Sequence, residues 1–318
     1  MRSLFDKRLV FVTGKGGVGK TTIATAIGLL GARRGLRTIV TELASQQRVQ
    51  RAFGRQDGQF KEIELAPGLF TISVDPHHAM QEYLHVKTGW VGDRLGTSKL
   101  FQAFAMAAPG MRELLSLGKM WELAQRKRRV AGADQYDLVV VDAPASGHCA
   151  GLLRTPKTFA EIARVGPIAH QGRAIATTIA DQRFTGVVAV TTLEEMPVNE
   201  TLWLSDALAR DDLVLDAVII NAVYPSRFHA DELADLGAAL AKTRSPLARS
   251  ALRAAQSEHA RVAIQREQQE RLQEGLEVPL VPLPYLFAEQ LGRAELDALA
   301  DELESGLLVR QRREVLRR

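Results

Sequence analysis

The residues with the clearest chemical implication are Gly14-Lys15-Gly16-Gly17-Val18-Gly19-Lys20-Thr21-Thr22. Glycines at this spacing let successive backbone N–H groups turn inward and form a concave nest for anions. A lysine and a threonine directly after the last glycine complete a phosphate-binding loop. Lys20 would reach β- and γ-phosphates, and the Thr21 hydroxyl would face Mg²⁺. The pattern carries this meaning only between a strand and a helix, and that context is present. Leu9-Val10-Phe11-Val12 reads as a buried strand, and residues 23–34 read as a helix with a basic end. The helix start would add unpaired N–H groups and a positive dipole to the nest.

A phosphate loop needs an acidic strand end beside it to hold a metal ion. Tyr136 to Val141 is a near-continuous apolar run that ends in Asp142. Parallel strands present ligands at their C-terminal edge, so Asp142 and the loop would share one crevice. Asp142 would bind Mg²⁺ through water. The glycine-containing stretch 143–148 that follows is expected to be mobile and suited to sensing the γ-phosphate. Further strands are expected at 38–41, 69–74, 186–190, 214–220 and 278–283. Helices are expected at 77–85, 199–209, 246–274 and 294–303. Asp75 would cap the first of these, with Pro76 as its opening residue. Continuous rather than alternating hydrophobicity predicts an α/β fold with a mostly parallel central sheet, flanked by helices on both faces. Residues 100–125 have apolar residues at helical spacing, with core packing favoured over an exposed apolar surface. Arg126 to Arg129 would close that helix against its dipole.

The loop sequence resembles the deviant phosphate loop of dimeric ATPases that include septum-site and plasmid-partition proteins, nitrogenase iron protein and arsenite-translocating ATPases. The resemblance implies that Lys15 crosses a dimer interface to the partner's nucleotide. A narrower likeness follows. Asp142-Ala-Pro-Ala-Ser-Gly-His148, then Leu152-Leu153-Arg154-Thr-Pro156, resembles the Asp-Thr-Ala-Pro-Thr-Gly-His stretch of the arsenite-pump (ArsA)-like and tail-anchored-protein-targeting ATPases. Asp75-Pro76 through Glu82-Tyr83, Ala108-Pro109-Gly110, Glu194, Glu200-Thr201, Asn221 and Pro282-Leu283-Pro284 match in order over nearly the full length. The likeness is greatest to a bacterial single-domain branch. It implies that Asn221 hydrogen-bonds adenine and that Glu194 contacts nucleotide near the dimer interface.

Two departures from the family pattern bear on activity. A gapless alignment over residues 38–53 puts Ala44 where the family has the Asp that positions attacking water, and alanine cannot orient or deprotonate water. Glu42, two residues earlier, is the candidate substitute. The zinc-binding cysteine pair, the arsenite-binding thiols and the methionines of a client groove are also missing from the matching positions. Arsenite activation and tail-anchor delivery therefore have little support.

The chain has 318 residues, is 46% hydrophobic and carries a net charge of +4. Its last nine residues hold five arginines and one glutamate, which accounts for that whole excess. No basic face for nucleic acid is expected. No apolar run approaches the length of a membrane span. Strand-like residues begin within about eight positions of the start, which predicts no secretory segment. A lone cysteine, Cys149, excludes an internal disulfide and fits a reducing, cytoplasmic setting. The expectation is one P-loop ATPase domain over 1–318, with 305–318 as a basic helical tail. ATP and Mg²⁺ would bind at residues 14–22 and Asp142. The chain would act as a homodimer, or as a heterodimer with a related ATPase, coupling closure to a protein client or membrane partner. The alternatives are a non-hydrolysing, nucleotide-dependent interaction subunit and a partition- or positioning-type ATPase.

Overall fold

In a computed structural model, residues 4–43, 47–55, 60–88, 109–129, 132–163 and 167–315 are described. Ala44, Ala108 and the last three residues lie outside them, as does 100–108 of the long apolar stretch.

The centre of the molecule is an eight-stranded sheet in the order β3-β4-β2-β5-β1-β6-β7-β8. The strands are β1 Leu9–Gly14, β2 Thr38–Leu43, β3 Ile63–Ala66, β4 Leu69–Val74, β5 Leu138–Ala145, β6 Thr185–Thr191, β7 Ala217–Val223 and β8 Leu280–Pro284. Every pairing is parallel except that of β3 with β4, which is antiparallel at one edge. All six residues of β1 and all seven of β6 are buried. Continuous burial explains why these strands read as unbroken apolar runs: helices cover both faces.

The helices are α1 Lys20–Arg33, α2 Arg48–Ala52, α3 Pro76–Thr88, α4 Met111–Leu123, α5 Ser146–Ala163, α6 Pro167–Ala180, α7 Glu195–Ala209, α8 Ala230–Lys242, α9 Pro246–Gly275 and α10 Arg293–Val315. Two apolar layers result. One holds Leu114, Leu117, Met120, Cys149, Leu152, Leu153 and Ile175 against Phe11, Val139 and Val141. The other packs Ile23, Ile27, Leu30, Leu296, Leu299 and Leu303 against Val10, Val12 and Val140. The core expectation for Leu114, Leu117 and Met120 is met. Arg33 and Arg34 fasten α1 to α10 through Asp297, Asp301 and Glu304. No described helix is long and apolar enough to cross a membrane.

Four expectations need correction. The antiparallel edge strand β3 is an addition, since its short sequence mixes Ile63 and Leu65 with Glu64. Residues 143–148 are regular structure: β5 runs to Ala145 and α5 starts at Ser146. The closing helix expected at 294–303 and the helical tail expected from 305 are not separate: one helix runs through to Val315. Finally, Arg128 does not serve a helix end. α4 stops at Leu123, and Arg128 is buried, with its guanidinium on Glu62 at 2.7 Å, Glu122 at 2.7 Å and the Asp134 carbonyl at 2.6 Å. Burying a guanidinium requires such full pairing.

Candidate functional site

Glycine is required in the loop after β1 for two separate reasons. Gly14, Gly17 and Gly19 have φ of +146°, +90° and +96°, where side chains strain the backbone. Space is also lacking: a Cβ on Gly14 would lie 2.0 Å from the Val190 carbonyl oxygen, and one on Gly19 would lie 2.4 Å from the Asn221 amide nitrogen. Val18 is the loop's apolar anchor in the core, whereas Gly16 and Gly17 are exposed. Helix α1 begins directly after Gly19, with no side-chain cap and no acidic residue in its first turn. Its N–H groups and positive end therefore face the nest without an internal anion.

Lys20 donates to the Lys15 carbonyl at 3.0 Å, and burial pulls its pKa below the usual lysine value while Asp142 opposes that shift. The Thr21 hydroxyl donates to Asp142 at 2.6 Å. Strand register makes this contact possible, because Asp142 sits beside Val12 of β1 and Glu42 of β2. Burial raises the Asp142 pKa, and the Thr21 hydrogen bond and Lys20 charge pull it back. Around these groups lies an open cavity of about 650 Å³, whose lining includes Gly17, Gly19, Lys20, Thr21, Thr22 and Asp142. A hydroxyl and a carboxylate touching one another beside a lysine form an oxygen set suited to a hard divalent cation bound with phosphates. The cradle, donors and cation thus fit a Mg²⁺-bound polyphosphate.

The remaining candidates divide. Asn221 is brought to the loop, where its side-chain amide donates to the Val18 carbonyl at 2.9 Å. Its oxygen and second N–H stay available for a donor–acceptor edge. Behind it the strand bulges and Ala222 takes φ +58°. Gln265 of α9 clamps that bulge by donating to the Ala222 carbonyl at 3.1 Å and accepting from Tyr224 N–H at 2.8 Å. Lys15 points away from the cavity to Glu200 of α7, at 2.5 Å, and Glu200 also accepts from the Ser146 hydroxyl at 2.6 Å. Glu194 is exposed just before α7 and outside the cavity lining.

Glu42 is 2% exposed, and burial raises its pKa. One carboxylate oxygen accepts the Arg48 backbone N–H at 2.8 Å, while the other is buried without a partner. The carboxylate is thus engaged with the start of α2. Helix α2 also adds two cavity cations that sequence reasoning missed, Arg48 and Arg51. Their three-residue spacing puts both on one side of a helix, but nothing in the sequence shows that this side faces the loop. The neighbouring histidines His77 and His78 are no metal pair. Their backbone N–H groups both donate to Asp75, and the His78 ring stacks on Phe60. No cluster of metal-ligating side chains occurs among the described residues.

The pattern that defines the family described as "Anion-transporting ATPase" matches residues 7–170, which include the loop and Asp142. The chain belongs to this family. It is 31% identical over 236 residues to the ATPase BagA of Mycobacterium tuberculosis, covering 71% of this chain and 68% of that protein. To the ATPase GET3 of Paracoccidioides lutzii it is 32% identical over 180 residues, 52% of this chain and 50% of the fungal one. To the get3 ATPase of Neurospora crassa it is 31% identical over 182 residues, again half of that protein. Family membership agrees with the α/β fold and its mostly parallel sheet.

Proposed function

We propose that this chain binds and hydrolyses Mg²⁺·ATP as one subunit of a dimer, and that nucleotide state governs dimer closure and partner binding. The observation that carries the reading is the Thr21–Asp142 contact of 2.6 Å at the mouth of the glycine nest. It sets an alcohol and a carboxylate where the metal of a nucleotide complex would need them. In this reading Mg²⁺ neutralises charge on the terminal phosphates. The backbone N–H groups of residues 14–22 cradle the phosphate chain, Lys20 reaches its β- and γ-groups, and Asn221 offers its free amide atoms to adenine. Lys15, as a loop of the deviant type implies, leaves Glu200 for the nucleotide of the facing subunit, where its charge would stabilise the transferred phosphoryl. Glu194, exposed near that face, would contact the same nucleotide from the side.

A second reading is a nucleotide-binding subunit that hydrolyses slowly or not at all. Two things favour it: alignment puts Ala44 at the family's water-positioning acid, and Glu42 is engaged with α2. The dimer would then be a heterodimer whose partner chain retains the acid. ATP turnover and particle mass, measured on the purified chain with and without Mg²⁺·ATP, separate the two. Multiple turnovers by a homodimer support hydrolysis by this chain alone. Tight ATP binding without turnover supports the second reading, and absence of any nucleotide binding overturns both.

A further inference from the structure

The sheet order fixes a direction across the cavity. Around the loop strand the order is β2-β5-β1-β6-β7, so Asn221 at the end of β7 and α2 after β2 lie on opposite sides of β1. A nucleotide whose base lies towards Asn221 and whose phosphates lie on the loop must run its last phosphate towards β5 and β2. Arg48 is found there. It lines the cavity together with Lys20, Thr21 and Asp142, and its positive charge acts on Lys20, Asp142 and Glu42. Among the described residues its guanidinium has no hydrogen-bond or ion-pair partner. An unpartnered guanidinium on the wall of a phosphate cavity is suited to planar, paired donation to phosphate oxygens.

Glu42 explains how Arg48 is held there. The carboxylate is buried beneath α2 and accepts the Arg48 backbone N–H at 2.8 Å. The helix start is thereby tied to β2 at the residue that pairs with Asp142. We propose that Arg48 contacts the terminal phosphate of nucleotide bound in its own subunit, and that Glu42 is the positioning residue that holds Arg48 on the cavity wall. This rests on the ATP-site reading above. It gives Glu42 a role other than orienting water, and it gives the terminal phosphate a second cation from the same subunit, beside Lys20.

The test is equilibrium binding of Mg²⁺·ATPγS and of Mg²⁺·ADP to the full chain and to R48A, R48K, E42Q and E42A. Far-ultraviolet circular dichroism serves as the check on folding. R48A should bind ATPγS roughly 10- to 100-fold more weakly, the span of one charge-assisted hydrogen bond, with ADP affinity held within about twofold. R48K should fall between, because an ammonium keeps the charge without the paired geometry. E42Q should keep the ATPγS preference, since an amide oxygen accepts the same Arg48 backbone N–H, while E42A should lose part of it. If R48A discriminates between the two nucleotides as well as the parent does, the Arg48 assignment is overturned. Equal losses in E42Q and E42A overturn the positioning role of Glu42. A parent chain that binds neither nucleotide instead removes the ATP-site reading beneath both.

Discussion

The two walls of the cavity are shaped by different means. On the loop wall the backbone does the shaping: Gly14, Gly17 and Gly19 sit at positive φ, and at Gly14 and Gly19 an added Cβ would collide with the Val190 carbonyl and the Asn221 amide. On the α2 wall a single buried carboxylate does it, by reaching from β2 to the first turn of the next helix. The first wall is rigid because its alternatives are sterically forbidden. The second depends on one side chain and tolerates any replacement that accepts the same hydrogen bonds. A site that must hold an anion firmly at one end and respond to its length at the other has reason to use both kinds of construction.

Substitutions should expose this contrast, and the largest effect belongs to the loop. Gly14→Ala forces a Cβ against a backbone carbonyl at a φ unsuited to alanine, which should cost about 3–5 kcal/mol. Thermal unfolding should then begin roughly 4–8 °C lower. A melting point unchanged from the parent would contradict the steric account of this wall. Next, Lys20→Ala should leave folding intact but weaken ATP binding about 100-fold, as read by calorimetry, because a charged donor is lost from a partly buried site. Asp142→Asn should act on metal dependence. ATP affinity in EDTA should match the parent, and the gain that Mg²⁺ normally gives should disappear.

On the α2 wall the effects should be milder. Glu42→Ala removes a helix-start acceptor worth ~1 kcal/mol, so the melting point should fall by only about 1–2 °C. A fall as large as that of Gly14→Ala would erase the difference between the walls. The smallest effect concerns Cys149, fully buried in the apolar layer beneath β1, where burial pushes its thiol up to about 11. At pH 8 the folded chain should not react with Ellman's reagent, while the chain in guanidinium should release one equivalent.

The same contrast explains how much was legible in the sequence. The loop could be read because its constraints fall on residue type: positive φ demands glycine, and phosphate demands Lys20 and Thr21. Asp142 could be read because parallel strands deliver side chains to one edge. Arg48 and the capping role of Glu42 could not, since they arise when a short helix folds back onto the strand before it. Glu42 by itself is an acidic residue at a strand end. Arg128 was misplaced for a related reason. Four cations in a row after an apolar helical stretch suggest a helix end, and only the folded chain brings Glu62 and Glu122 around one of them. Residues 143–148 looked mobile because Gly147 lies there, but β5 runs to Ala145, and helix α5 begins at Ser146 and carries even Pro156 within it.

Glu200 divides its two carboxylate oxygens between Lys15 and Ser146, and so ties the loop to the first turn of α5. Lys15 and Glu200 are each about one-third exposed, at 31%, and a pair so open to water contributes no more than ~1 kcal/mol. An anion arriving from outside therefore needs only a modest advantage to draw Lys15 away. Glu200 is then left with one partner instead of two. The exchange works in both directions: whatever restrains Ser146 at the head of α5 alters, by the same free energy, how readily Lys15 is given up.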